Sequence, residues 1–223
     1  KSGESIDLGY SYKAPGLSPE LYAFGPLTFE NNNQTVFQEA RLWQVAVDGN
    51  STAGPNNCGT AVDDSSNGGI TAWTNPGNAC SSTLSTSAGV GLGGSHYLKV
   101  TNFGFTSGQI PTGSKIIGIQ FSITKKAGTA GVVVDNGVRD VKGGTIDSGN
   151  DHSSGTTWPT TAAATTYGTT SDLWGQTWAV SDITASTFGV AIAAKKNSSG
   201  GNISAFVNAF VTATITFNQV PNA

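Results

Sequence analysis

Apolar and polar residues alternate with the two-residue period of a β-strand along much of the chain, and no segment shows a convincing helical period. The stretches that fit a strand are residues 5–13, 41–47, 96–100, 115–123, 131–134, 188–194 and 203–217. Turn-forming residues end several of them, as at Asp48-Gly49-Asn50 and Asp135-Asn136-Gly137. Such a series of strands without helices predicts an all-β sandwich, and long strands with wide crossing loops favour a jelly roll.

The beginning of the chain predicts an extended N-terminal arm rather than part of a compact sheet. Residues 5–13, which we call the assembly strand, place four large apolar side chains on one face: Ile6, Leu8, Tyr10 and Tyr12. Three prolines between residues 15 and 26 then break the sheet pattern and predict a tether. We therefore expect two parts, an arm with its tether at residues 1–33 and a jelly-roll β-sandwich at residues 34–223.

Charge and composition exclude two classes of partner and indicate a location. Of the 223 residues, 11 are Lys or Arg and 14 are Asp or Glu, which gives a formal net charge of −3. No nucleic-acid partner is expected, because binding to phosphates needs a basic excess. No membrane insertion is expected, because no apolar run approaches about 18 residues. Charged residues are only 11% of the chain, while Ser, Thr, Asn and Gly are abundant, as in secreted β proteins. We expect an extracellular or cell-surface location.

The two cysteines, Cys58 and Cys80, lie in a segment rich in Gly, Ser and Asn. No C-x-x-C motif and no neighbouring His or Lys is present there to activate a thiolate. We predict a structural disulfide, which would persist outside the reducing cytosol. The alternative is a pair of buried free thiols in a cytosolic protein.

The residue patterns of common hydrolases are missing from the sequence. The two histidines, His96 and His152, are not part of an H-E-x-x-H motif, and no G-x-S-x-G motif occurs. A glycosidase needs two carboxylates at a defined separation. Aspartates could supply that pair, but no glutamate follows Glu39. We therefore expect that the protein is not an enzyme.

Aspartate and asparagine cluster in segments that read as loops, and such loops can offer the six to eight oxygen ligands that Ca²⁺ prefers. We predict a structural calcium ion with Asp135, Asp147, Asn150 and Asp151 as the first candidates and Asp63, Asp64 and Asp172 as further ones. The alternative is that these residues are ordinary turn formers. No EF-hand or nonapeptide repeat fixes a ligand spacing.

Two surface features bear on glycans. N-glycosylation sequons occur at Asn33, Asn50, Asn197 and Asn202, in about the number that chance would give, and all four would be exposed. The five tryptophans are the candidates for a platform that stacks on sugars: Trp43, Trp73, Trp158, Trp174 and Trp178. Ordinary packing is the alternative. Trp43 alternates with apolar residues, which predicts a core position, whereas Trp158 and Trp174 are in loops and fit either role.

Eight short motifs lie, in order, at residues 73–79, 102–105, 110–111, 135–139, 141–144, 158–161, 172–175 and 188–190. Together, over roughly residues 60 to 217, they resemble a jelly-roll domain that is widespread in environmental bacterial and phage surface proteins. Such domains are mostly of uncharacterised function. With its arm, the chain also resembles subunits of extracellular helical filaments. That second resemblance implies a jelly-roll core that holds calcium and an N-terminal strand that completes a neighbouring subunit.

These observations lead to a structural hypothesis: the chain is the subunit of a secreted homopolymeric filament, assembled head-to-tail through its N-terminal strand. An isolated strand cannot satisfy its own backbone groups, whereas the open edge of a neighbour's sheet can. A contact of this kind does not close and builds fibres. The alternative is a carbohydrate- or receptor-binding β-sandwich module of a phage tail or adhesin, with the arm folded onto its own domain.

Overall fold

The computed structural model describes residues 20–47, 49–208 and 210–218. The assembly strand, with Ile6, Leu8, Tyr10 and Tyr12, lies outside these residues and stays a prediction. The first four described strands are β1 (Glu20–Phe24), β2 (Thr28–Asn31), β3 (Gln34–Gln38) and β4 (Trp43–Val47).

Eleven further strands follow from Ser51 onward and form two larger sheets. They are β5 (Ser51–Asn57), β6 (Thr60–Asp64), β7 (Ser85–Val90), β8 (Tyr97–Thr101), β9 (Lys115–Ala127), β10 (Val133–Lys142), β11 (Thr145–Ile146), β12 (Ala163–Tyr167), β13 (Gly189–Lys196), β14 (Ile203–Asn208) and β15 (Thr212–Asn218). The described residues contain one α-helical turn, α1 (Val180–Thr184), and two 3₁₀ turns, at Ser65–Asn67 and Pro76–Cys80.

The five-stranded sheet has the order β11-β10-β13-β8-β6, and every pairing in it is antiparallel. The six-stranded sheet is centred on β9, which pairs along one edge with β14 and β15 and along the other with β12. Ser122 shows this arrangement, because it is paired with Thr212 of β15 and with Thr166 of β12. β7 and β5 lie outside β14 and β15.

From β7 onward, the chain crosses repeatedly between the two sheets. β7, β9, β12 and β14–β15 belong to the six-stranded sheet, whereas β8, β10–β11 and β13 belong to the five-stranded sheet. β14 returns to lie between β7 and β9, and β15 lies between β5 and β9. This order fits the double Greek key of a jelly roll. The prediction of an all-β sandwich is confirmed.

The core lies between the two sheets and is filled by side chains at alternate strand positions. Its centre is aromatic: the Phe121 ring is 5.4 Å from the Trp174 ring and 5.6 Å from the Phe188 ring, and Trp178 meets Phe188 edge-on at 5.4 Å. Leu98 and Ile192 are fully buried beside them. Aromatic pairs at these distances contribute roughly 0.5–1.5 kcal/mol beyond the area that they bury.

Residues 20–47 form two small antiparallel sheets of their own. β1 pairs with β4, and β2 pairs with β3 through a turn at Asn32 and Asn33, which both have positive φ as a tight hairpin turn requires. The predicted domain boundary, between residues 33 and 34, falls at this turn. Within the described residues, none of these four strands is paired with either sandwich sheet.

The expected core position of Trp43 is wrong. Its side chain is 52% exposed, and its strand β4 pairs with β1 in a separate two-stranded sheet. The indole N–H donates to Glu39 Oε1 at 2.8 Å, and the Arg41 guanidinium lies over the ring.

Two strand boundaries also differ from the sequence-based expectation. The expected turn at Asp135-Asn136-Gly137 is instead a β-bulge inside β10, where the register shifts between Asp135 and Gly137. The bulge absorbs one extra residue and lets the strand continue to Lys142. The expected strand at residues 203–217 is divided into β14 and β15.

The predicted disulfide between Cys58 and Cys80 is confirmed. It joins the β5–β6 connection to the end of the 3₁₀ turn at Pro76–Cys80, with the two Cα atoms 5.3 Å apart. The two cysteines are separated by 22 positions, so the bond restricts a loop of moderate length in the unfolded chain.

We expect the double substitution Cys58→Ala/Cys80→Ala to lower the free energy of unfolding by about 3 kcal/mol, because the unfolded chain regains the entropy of that loop. Urea unfolding of the variant and of the oxidised parent measures the difference. An unchanged midpoint would contradict the assignment of this bond as a main stabilising element.

Candidate functional site

Among the residues that the structure describes, large apolar side chains are exposed mainly in residues 27–43. Six of the ten such side chains lie there and are called here the apolar hairpin residues: Leu27, Phe29, Val36, Phe37, Leu42 and Trp43. Phe29 and Phe37 are cross-strand partners with ring centroids 5.9 Å apart. Concentrated apolar exposure of this kind marks interaction surfaces in soluble proteins.

The first pair of predicted metal ligands, Asp63 and Asp64, lies at the end of β6, and both carboxylates have protein partners. Asp63 accepts hydrogen bonds from the Trp73 backbone N–H at 2.7 Å and contacts His96 Nδ1 at 2.6 Å. Asp64 caps the 3₁₀ turn through the Ser66 N–H and pairs with Lys99 Nζ at 2.6 Å. Chiefly because of the Lys99 hydrogen bond, the pKa of Asp64 is lowered to about 2.

The predicted ligands Asp147, Asn150 and Asp151 share the loop after β11. Asp147 Oδ2 accepts the backbone N–H groups of Gly149 and Asn150 at 3.0 and 2.8 Å. Asp151 Oδ1 accepts the N–H groups of Val138 and Ser153. These hydrogen bonds outweigh the opposing effect of burial and lower the pKa of Asp151.

Arg139 holds the same loop from the neighbouring strand β10. Its guanidinium donates to the backbone oxygens of Asp147 and Asn150 and lies 3.3 Å from Asp151 Oδ2. Its Nε donates to the Tyr97 hydroxyl at 2.9 Å. The loop is therefore closed by hydrogen bonds from its own backbone and from one cation.

Asp172 holds a strained tryptophan and a histidine in place. Its Oδ2 is 2.6 Å from His152 Nε2, and its Oδ1 accepts the Trp174 backbone N–H at 2.8 Å. Trp174 has a φ of 57°, a left-handed conformation that costs a bulky residue about 1–3 kcal/mol. Stacking of its ring on His152, with centroids 3.9 Å apart, and its indole bond to the Ile119 carbonyl offset this cost.

Asp135, the remaining predicted ligand, is buried between the sheets rather than in an open loop. Its Oδ1 lies 2.7 Å from Lys125 Nζ and accepts the Trp158 indole N–H at 2.7 Å. Its Oδ2 accepts the Tyr167 hydroxyl at 3.0 Å and the Ser154 N–H at 2.9 Å. The Tyr167 hydroxyl also contacts Lys125 Nζ.

Asp140, which was not among the predicted ligands, is a fully buried carboxylate in the interior of β10. Within the described residues, neither of its oxygens has a hydrogen-bond partner. Asp147 lies opposite, since Val141 pairs with Ile146 and the Asp147 N–H donates to the Asp140 carbonyl. Burial first, and then repulsion from the Asp147 carboxylate, raises the pKa of Asp140 to about 6. The sequence pattern indicated ligands only among acidic residues in loops, whereas Asp140 lies within a strand.

The predicted calcium ligands thus lie at several separate places, and each carboxylate has at least one protein partner. In the part of the chain that the structure describes, no group of three or more His, Cys, Asp or Glu side chains is arranged to hold a metal ion. Calcium binding stays a prediction, with the Asp147–Asp151 loop as the place where the predicted ligands are most concentrated.

The tryptophans do not form an exposed platform. Trp73, Trp158, Trp174 and Trp178 are all buried, and each indole N–H donates to a protein oxygen. Packing, the alternative that the sequence left open for Trp158 and Trp174, is the arrangement found. The asparagines of the four sequons, Asn33, Asn50, Asn197 and Asn202, are all exposed.

A polar cleft of about 500 Å³ opens on the outer face of the five-stranded sheet. Its lining is mostly polar and includes Tyr97, Arg139, Asn67, Asn136 and Ser148. The cleft offers hydroxyl, amide and guanidinium groups to a small polar ligand.

Comparisons of the chain with models of protein families, with curated proteins and with solved structures find no match. Among the described residues, no helix combines the length and the apolar character needed to cross a bilayer.

We expect Asp140→Asn to raise the free energy of unfolding at pH 7 in calcium-free buffer by about 3 kcal/mol, because burial raises the pKa of Asp140 from its ordinary 3.8 to about 6. The folded state holds this proton up to about pH 6, whereas the unfolded state releases it near its ordinary 3.8. As the pH rises from about 4 to about 6, the free energy of unfolding of the wild type should therefore fall relative to that of the variant. Below about pH 4, the two free energies should be equal.

Urea unfolding across this pH range measures the effect, with Asp64→Asn as the matched control. The pKa of Asp64 is lowered rather than raised, so the same substitution there should reduce stability at pH 7. A loss of stability in Asp140→Asn at pH 7 would contradict the prediction.

Proposed function

We propose that this chain is a structural, non-enzymatic subunit of a secreted homopolymeric extracellular filament, in which each copy donates its N-terminal strand to the jelly roll of the next copy. The observation that carries the proposal is the contrast in burial between the two parts of the chain. The sandwich encloses an aromatic core, whereas residues 27–43 hold most of the large apolar side chains that are exposed in the described part of the chain.

The apolar hairpin residues support a protein partner beside the N-terminal arm. Phe29, Phe37 and Trp43 lie on sheets of only two strands, and a two-stranded sheet has marginal stability alone in water. Burial against another copy would remove apolar surface from water, with a gain of about 1.5–3 kcal/mol for each large side chain. A second copy suits this role because every copy carries the same arm and the same sandwich.

The sandwich offers edges that could accept a donated strand. β6 ends the five-stranded sheet, and β12 pairs only with β9 among the described residues. Open edges expose backbone N–H and C=O groups that pair readily with an added strand. The apolar face of residues 5–13 would then cover apolar surface of the neighbouring copy. The backbone of the same residues would extend the hydrogen-bond ladder of that copy's sheet.

A second candidate function is favoured by the polar cleft on the outer face of the five-stranded sheet. Its tyrosine, arginine and amide groups suit a small polar ligand such as a saccharide. In this alternative, the chain is a monomeric carbohydrate- or receptor-binding module. Negative-stain microscopy separates the candidates, because a filament subunit polymerises and a monomeric module does not.

We expect Leu8→Asp/Tyr10→Asp to abolish filaments while the sandwich stays folded, because charges would replace side chains that insertion must bury. The matched control is Ser5→Asp/Ser11→Asp, which adds the same charge to the opposite face of the strand. Negative-stain microscopy and size-exclusion chromatography measure assembly, and thermal unfolding measures folding. Undiminished filaments in the first variant would overturn the donor-strand proposal.

Phe29→Ser/Phe37→Ser should weaken assembly and leave the stability of the sandwich within about 0.5 kcal/mol of wild type, because both rings are exposed within the single chain. The control is Leu92→Ser, which removes an exposed apolar side chain from the sandwich. The concentration needed for filament growth measures the effect. Equal values for both variants would show that the apolar hairpin residues take no special part in assembly.

A further inference from the structure

Lys125 and Asp135 form a buried pair that spans the two sheets. Lys125 lies near the end of β9 in the six-stranded sheet, and Asp135 lies near the start of β10 in the five-stranded sheet. Their side chains are only 4% and 0% exposed, and Nζ lies 2.7 Å from Oδ1. Withdrawing both charges from water is costly even when they are paired.

The surroundings of this pair are aromatic and rich in hydrogen-bond donors. The Trp158 and Tyr167 rings lie 4.9 and 5.0 Å from Nζ. Asp135 Oδ1 accepts the Trp158 indole N–H, and Oδ2 accepts the Tyr167 hydroxyl and the Ser154 N–H. Because the Tyr167 hydroxyl contacts both Nζ and Oδ2, it bridges the amine and the carboxylate.

We propose that Lys125 and Asp135 join in an intramolecular isopeptide bond, which covalently links the two sheets of the sandwich. The proposal is independent of filament assembly, because it concerns two side chains within one folded copy. An amine and a carboxylate held in contact by the fold react with the advantage of an intramolecular reaction. Their exclusion from water also protects the product from hydrolysis.

The reaction needs no other reagent. The Tyr167 hydroxyl accepts a proton from the ammonium and passes its own proton to Asp135 Oδ2, which turns the ion pair into a neutral amine and a carboxylic acid with the same total charge. Burial favours this neutral pair, because both side chains are almost completely withdrawn from water, and separated charges are costly in such an environment. The Nζ lone pair then attacks Cγ, and the C=O electron pair moves to Oδ1, where the Trp158 N–H stabilises the negative charge.

The tetrahedral intermediate collapses with a single proton relay. Nζ gives one proton to the Tyr167 oxygen while the Tyr167 hydroxyl proton passes to the Oδ2 hydroxyl, which leaves as water. The Cγ–Oδ2 bond breaks, the C=O bond re-forms, and an N–H remains on the new amide. Burial and the nearby Asp135 raise the pKa of Tyr167, so the hydroxyl stays protonated and can serve in the relay.

Intact-mass measurement of the full wild-type chain tests the proposal directly. The protein should be made in a host that attaches no N-glycans, then reduced, denatured and weighed. We expect a mass lower than that of the amino-acid sequence by one water molecule. A mass equal to that of the full sequence would overturn the proposal.

Peptide analysis locates the bond. Trypsin cleaves after Lys115, Lys126 and Arg139, so a bond at Lys125 and Asp135 would leave peptide 116–126 joined to peptide 127–139. Fragmentation should place the branch at these two residues. Recovery of peptide 127–139 only in its free form would also overturn the proposal.

Variants distinguish a covalent bond between Lys125 and Asp135 from a non-covalent ion pair between them. Lys125→Arg keeps a cation beside Asp135 but supplies no amine nucleophile, and it should show the full sequence mass. Lys126→Met is the matched control: its Nζ lies over the Phe206 ring instead, and the loss of water should persist. Tyr167→Phe should slow bond formation by roughly 10²-fold or more through loss of the relay. Loss of water in Lys125→Arg would exclude Lys125 as the nucleophile.

Discussion

Packing of the two inner sheet faces is the interaction on which the rest of this fold depends. Alternate side chains from both sheets meet around Phe121, Trp174 and Phe188, and the chain crosses between the sheets to supply them. Each crossing loop must satisfy its backbone N–H groups without a ladder. Aspartates do this repeatedly, as Asp147 does for Gly149 and Asn150. Their concentration in loops therefore has a structural explanation before any metal is considered.

The two-residue period was sufficient to predict the strands whose one face is fully buried. β8 and β9 coincide with predicted strands because their buried side chains alternate cleanly or nearly so. β13 also coincides with a predicted strand, although nearly all of its residues are buried on both faces. The pattern could not tell which partner a strand has. Trp43 alternates as a core residue would, yet β4 pairs with β1 and leaves the ring exposed. The Asp135-Asn136-Gly137 segment has turn chemistry, but its long-range partner β13 holds it inside a strand.

The candidate sites were harder to predict because their character depends on contacts between distant residues. Loop composition identified Asp147 and Asp151, but it could not show that backbone donors already engage their oxygens. The sequence does contain one indication of the buried pair. Lys125 follows Phe121 and Ile123 at the same two-residue interval, which places a lysine on the core face of β9. A charge at such a position requires a buried partner. Only the fold identifies that partner as Asp135.

The two parts of the chain differ in how far they shield their apolar side chains from water, and this difference links the fold to the proposed assembly. The sandwich buries its tryptophans and satisfies most of its internal polar groups within one copy, with Asp140 as the clearest exception. Residues 27–43 leave phenylalanine, valine and tryptophan side chains exposed on two-stranded sheets that are too small to enclose them. Selection for a stable monomer would favour polar residues at those positions. Their apolar character is explained if another protein surface, rather than water, covers residues 27–43 in the assembled state.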